Sequence, residues 1–209
     1  MYIPDAFRVT DESTIFDFVE RHSFALLTTQ HHGEPLVSHL PLLLDRDAGP
    51  HGTLVGHWAR ANPQWQSPAG QTALAVFVGP HAYVSPRWYA EPNVVPTWNY
   101  ATVHAYGRLE IIDDAEALKR MVHRFVEHYE AAMPEPWQLP DASPLVDGLV
   151  KQIVGFHFVV DRWEAKFKLN QNHSPVRRER VRQALADRPD AESQAVAELM
   201  GRMNNQFPG

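Results

Sequence analysis

Cysteine is absent from the 209 residues. That excludes disulfides, thiolate catalysis and iron–sulfur or cysteine-ligated zinc sites, and it fits a reducing compartment. No apolar run approaches the length needed to span a bilayer, and Met1-Tyr2-Ile3-Pro4-Asp5 has neither a basic start nor an apolar signal core. The expectation is a cytoplasmic protein with no membrane association. Neither Gly-x-Gly-x-x-Gly nor a Gly-rich Lys-Ser/Thr loop occurs, so a Rossmann dinucleotide site and a nucleoside triphosphatase are unsupported. Ser38-His39 and Ser85 lack the Gly-x-Ser-x-Gly elbow that exposes a hydrolase nucleophile. Positive charge is also in deficit: 19 basic against 25 acidic residues give −6, a chain that as a whole repels a polyanion. DNA contact therefore falls to a local cluster, Arg177, Arg178, Arg180 and Arg182, which on a helix also reads as a solvated, ion-paired face.

Histidine is plentiful at 12 residues, yet no pair has the spacing of a helical metal motif, and no metal site is predicted. Aromatic residues are dense in polar stretches: Trp58, Trp65, Tyr83, Trp88, Tyr89, Trp98, Tyr100 and Tyr106. Such a surface suits a flat ligand with hydrogen-bonding edges, and equally a homodimer interface.

Periodicity predicts a helix over Asp11 to His22 capped by Thr10, then a hairpin of Phe24–Thr29 with Leu36–Leu44. Thr53–Gly56 reads as a strand, Ser67–Gly70 as a break, and Thr72–Val78 as a central strand buried on both faces. Residues 79 to 89 read as a loop that presents side chains. Thr102–Ile112 reads as a strand in which Gly107 permits a bulge or a close backbone approach. A helix follows from Ala115 to about Ala132, capped by Asp113-Asp114, with Leu118, Met121, Val122, Phe125, Val126 and Tyr129 inward. A short helix near Leu145–Ile153, a strand Phe156–Trp163 and polar helices from Val176 to about Asn204, broken at Pro189, complete the chain. Six or more strands separated by turns favour a closed antiparallel barrel with appended helices, an α+β fold that is mainly β.

The stretch Gly56-His57-Trp58-Ala59-Arg60-Ala61-Asn62-Pro63-Gln64-Trp65 changes period, because Trp58, Ala61 and Trp65 are spaced as on a helix. A strand entering a short helix exposes N–H groups that favour a phosphate, with His57 and Arg60 as added donors. The alternative is a surface helix anchored by two tryptophans.

Taken with Met1-Tyr2-Ile3-Pro4, Ser38-His39-Leu40-Pro41, Gly79-Pro80-His81-Ala82-Tyr83-Val84-Ser85-Pro86, Val95-Pro96-Thr97-Trp98-Asn99-Tyr100 and Val103-His104-Ala105-Tyr106-Gly107, this stretch resembles the PaiB family of FMN-binding negative transcriptional regulators. The resemblance implies an FMN-binding split β-barrel over residues 1–175 with a helical tail over 176–209, and a homodimer that shares FMN between subunits. It implies cofactor contacts from His39, His57, Arg60, Asn62, Trp98 and Asn99. Lys166, Lys168 and Gln171, in the stretch Lys166-Phe167-Lys168-Leu169-Asn170-Gln171-Asn172, would approach from the partner. A shorter loop around Ala90–Asn93 and Phe167 in place of a common tryptophan depart from the family pattern. Split-barrel proteins leave the chemistry to FMN, so no catalytic side chain is assigned. Three functions stay open: flavin-dependent redox activity on an unidentified substrate, regulation by DNA or protein contact, and haem handling.

Overall fold

The computed structural model describes residues 1–66, 70–140 and 143–204. A 3-10 turn at Asp5–Phe7 leads into β1 (Arg8–Val9), α1 (Glu12–Arg21), β2 (Phe24–His31), β3 (Glu34–Pro41), β4 (Leu43–Asp45) and β5 (Thr53–Ala59). A second 3-10 turn, Pro63–Gln66, precedes β6 (Ala73–Val84), and a third, Pro86–Tyr89, precedes β7 (Thr97–Ile112). Then come α2 (Ala115–Glu130), α3 (Pro144–Val150), β8 (Ile153–Lys168), α4 (Pro175–Ala186) and α5 (Ala191–Asn204). The strands follow the hydrogen-bonded order β3-β2-β6-β7-β8-β5-β4, with β1 paired to β8. This is an open antiparallel sheet with helices added, where the number of strands and turns had favoured a closed barrel. No helix among the described residues is long and apolar enough to cross a membrane.

Contacts divide the chain into two compact units. One comprises Val19–Val76 and Ala105–Trp163. Its hairpin turns at His32-Gly33, both with positive φ (51° and 85°), the geometry that matches a tight turn to the right-handed strand twist. β4 pairs with β5 and β5 with β8 in continuous antiparallel register, from Thr53↔Val159 to Ala59↔Ile153. The core of this unit joins Leu43 and Val55 to Leu118, Met121 and Phe125 of α2 and to Val146 and Val150 of α3. Asp114 caps α2 by accepting from the Ala117 N–H at 2.8 Å. At Gly107 a Cβ would lie 2.1 Å from the Val159 carbonyl oxygen, so the close backbone approach expected there is present and only glycine fits it.

The other unit comprises Met1–Phe18, Phe77–His104 and the chain from Glu164 onward. Here β1 meets β8 at Arg8↔Lys166 and Val9↔Ala165, and the Phe18 and Phe167 rings lie 5.0 Å apart. α4 packs on α5, burying Val181, Leu185, Val196 and Met200. The two C-terminal helices are thus separate and broken near Pro189, as expected.

Several expectations are corrected. Asp11, not Thr10, caps α1: its carboxylate accepts from the Thr14 N–H and from the Ser13 and Thr14 hydroxyls, bonds that hold its pKa below the ordinary value. β6 is not buried on both faces but alternates, with Val78 exposed. It also continues through Gly79-Pro80 to Val84, where a loop was expected. Its inward side chains switch from odd to even positions across Pro80-His81, as an extra residue in a strand requires. The expected break at Ser67–Gly70 falls mostly on residues 67–69, outside the described residues.

Candidate functional site

The Gly56–Trp65 stretch does not form the expected strand-to-helix step. β5 continues to Ala59, because Trp58 is on the strand and wholly buried, its ring 4.1 Å from that of Phe156. The helical turn that follows is four residues long. Its polar groups are committed to the fold. The fully buried Gln64 accepts from the Trp58 indole N–H at 2.9 Å and donates to the Leu27 and Leu36 carbonyls at 2.8 and 2.9 Å. Asn62 donates to the Ser38 hydroxyl at 2.9 Å and accepts from the Gln64 N–H at 2.9 Å.

Arg60 is similarly employed. Its Nε donates to the Lys151 carbonyl at 2.8 Å, and Nη2 donates to the Ile153 carbonyl at 2.8 Å and to the Asp113 carboxylate. The hydrogen bond to Asp113 raises the arginine pKa and lowers that of the carboxylate. His57 packs edge-on against Phe125 at 5.6 Å, its Nδ1 has no hydrogen-bond partner among the described residues, and burial lowers its pKa. His39 alone of this group is exposed, opposite Leu26 on β3 and 6.4 Å from the Phe24 ring.

The remaining predicted residues belong to the unit that contains the end of β8. Lys166 is buried, donates to the Tyr2 carbonyl at 3.3 Å and sits 5.2 Å from the centre of the Tyr100 ring. Lys168 donates to the Thr97 hydroxyl and, at 2.7 Å, to the Trp98 carbonyl. Burial, and then the neighbouring charge of Lys166, lower its pKa. Gln171 closes the turn after β8 by donating to the Phe167 carbonyl and accepting from the Leu169 N–H. Asn99 is fully buried: its Nδ2 meets the Met200 sulfur at 3.5 Å and its Oδ1 has no hydrogen-bond partner among the described residues. Trp98 is exposed, with its ring edge-on to Tyr83 at 6.0 Å and tilted against His81 at 6.3 Å.

A flavin mononucleotide needs a flat apolar surface, polar groups for the ring edges and a cation for its phosphate. The exposed face of Trp98 can supply the first, and in the same unit Lys168, whose three N–H groups meet two protein acceptors, retains a donor for the last. In these two respects the residues present fit the group. Sequence reasoning missed two members of these networks. Gln64 lay inside the recognised stretch without a signal of its own, and Asp113 was assigned to the α2 cap.

This fold, an open antiparallel sheet with added helices, is that of the flavin-binding split-barrel proteins. It superposes on the flavocytochrome Anf3 from Azotobacter vinelandii with a TM-score of 0.59 at 16% identity, covering 77% of this chain and 69% of that one. For the FAD and heme binding protein from Mycobacterium smegmatis the TM-score is 0.55 at 18% identity, over 77% and 73%. A family model described as "Putative FMN-binding domain" matches residues 1–162, and the chain belongs to that family of FMN-binding proteins. It is 37% identical over 202 residues to the protease synthase and sporulation protein PAI 2 of Bacillus subtilis, covering 96% of each chain.

Two measurements follow from the Gly56–Trp65 network. Arg60→Ala is expected to lower the melting temperature and to weaken FMN and riboflavin in parallel, because the side chain ties strand ends together. Fluorescence titration of both flavins checks this, and a loss of FMN affinity alone would make Arg60 a phosphate ligand. For His57, the folded-state pKa lies below the ordinary 6.5. The unfolded chain therefore takes up the proton first, and stability falls as pH drops below that value. Denaturant unfolding across this range should show a shallower loss in His57→Phe than in the parent protein.

Proposed function

We propose that this FMN-binding protein acts as a homodimer whose bound flavin carries out redox chemistry on a small molecule, and that any regulatory effect is exerted without direct DNA contact. The observation that carries the second clause is the employment of the α4 arginines. Arg177 pairs with Glu91 and bonds the His173 ring, and Arg178 is buried. Arg180 donates to the Tyr89 carbonyl at 2.8 Å, and Arg182 pairs with Glu179. Phosphate neutralisation needs cations free to exchange their partners for DNA, and these are spent on the fold. Similarity to PAI 2 supports a regulatory outcome, which a flavoprotein can produce through its redox product or a protein partner.

Bound FMN supplies electron or hydride transfer at its ring. Of the candidate residues, Trp98, Lys168 and His39 keep groups available for it, whereas Arg60, Asn62 and Gln171 are occupied with protein partners. Exposed Phe24 and Val37 beside the β3 edge support pairing with a second copy.

Protein purified without added cofactor should show flavin absorption and sediment as a dimer. It should give no salt-sensitive shift of a promoter fragment near about 150 mM salt. A Soret band in place of flavin bands, or a tight DNA shift, would contradict this function.

A further inference from the structure

The unit containing the end of β8 holds a cavity of about 310 Å³. Lys168, Arg177, His173, Asn93, Asn170 and Asn172 contribute polar groups to its wall, and Val94-Val95-Pro96 gives an apolar flank. Its size is at the small end of metabolite sites. Among the described residues, no carboxylate lines it. Arg177 is balanced from outside the wall by Glu91, hydrogen-bonded to the His173 Nδ1, and placed 4.7 Å over the Tyr89 ring. Among the described residues Lys168 has no acidic partner: its two hydrogen bonds go to a hydroxyl and a backbone carbonyl, both neutral, its Nζ lies 6.0 Å from the Phe7 ring centre, and one N–H is left over.

The backbone around this cavity is also unusual. Among the described residues, four that are not glycine have positive φ: His32, Ala90, Asn93 and Asn170. His32 is the hairpin turn. Asn93 and Asn170 line the cavity, and Ala90 directly follows Tyr89 of its wall. Left-handed backbone at residues with a Cβ carries a strain that gathers at ligand sites, and asparagine tolerates it best. The Asn170 side chain is fixed there, its Nδ2 donating to the Tyr89 hydroxyl at 3.3 Å.

From this placement we infer that the cavity recognises the oxyanion of a small molecule, a phosphate or carboxylate, with Lys168 as the ion-pairing group and the asparagine amides as neutral donors. The oxyanion has two sources: the phosphate end of FMN, or a separate substrate or effector. The charge of the wall and its orphan donor are the same for both.

The test is calorimetric titration of inorganic phosphate and of acetate into the FMN-loaded protein and into protein stripped of flavin. Lys168→Gln should weaken the anion at least about tenfold, as loss of a charge-assisted hydrogen bond does. Asn172→Asp changes an exposed wall residue, leaves the Lys168 bonds intact and adds a repelling charge, so it should weaken the anion several-fold even where Lys168→Gln melts too early to be used. If only flavin-free protein takes up phosphate, and FMN but not riboflavin competes with it, the oxyanion is that of the cofactor. If FMN-loaded protein still takes up phosphate or acetate, the pocket serves a second ligand. Both outcomes support the inference. Absence of uptake of either probe by the parent protein, or affinities unchanged in both variants, overturns it. Because the flavin-free arm does not depend on FMN, failure of the flavin assignment would be seen separately, in the absorption spectrum.

Discussion

Three hydrogen bonds converge on the side chain of Gln64, which has no exposed surface. The amide nitrogen reaches the carbonyls of Leu27 on β2 and Leu36 on β3, and the amide oxygen receives the Trp58 indole N–H from β5. One planar group thus ties the hairpin to the strand that pairs with β8. Burying an amide is costly unless it is bonded, and here its donors and acceptor are matched, so the cost is offset only in this one arrangement. The surrounding residues follow from it. Asn62 caps the turn that carries Gln64, Trp65 donates to the Arg60 carbonyl at 2.9 Å, and Arg60 reaches on to the residues on either side of Gln152.

That commitment bears on function. Polar groups already satisfied by the protein must break those bonds to serve a ligand, and exchange of one hydrogen bond for another yields little net affinity. In the Gly56–Trp65 stretch Arg60, Asn62 and Gln64 are satisfied and only the buried His57 Nδ1 lacks a partner among the described residues, while near the end of β8 Lys168 keeps a donor in excess and faces a cavity with no acid among the described residues of its wall. The same logic applies to α4. Four arginines in six residues look like a nucleic-acid surface in sequence, yet each is held by a carboxylate, a carbonyl or burial.

Much of the fold was legible because its signals were local. The α2 stripe of Leu118, Met121 and Phe125, the hairpin around His32-Gly33 and the tight approach at Gly107 all follow from spacing or from a missing Cβ. The motifs shared with FMN-binding proteins run along most of the chain. What misled was coincidence of period. Trp58 and Trp65 are seven apart, as on one helix face, but Trp58 points inward from a strand and Trp65 anchors a separate turn. Pro80 suggested a loop, since proline removes a ladder donor, and the strand instead absorbs it with a change of phase. The partners of Arg60, Arg177 and Lys168 lie about fifty or more residues away in sequence (Asp113, Glu91 and Thr97), and no local pattern announces such pairs.

The central claim is that the Gly56–Trp65 stretch is a structural brace organised by Gln64. Denaturant unfolding of Gln64→Leu tests it most directly, because leucine fills a similar space but supplies none of the three bonds. The account predicts a loss of about 2–4 kcal/mol from leaving buried donors and acceptors unmatched. An unchanged midpoint and slope, accompanied by loss of FMN affinity, would contradict it and return the stretch to the ligand.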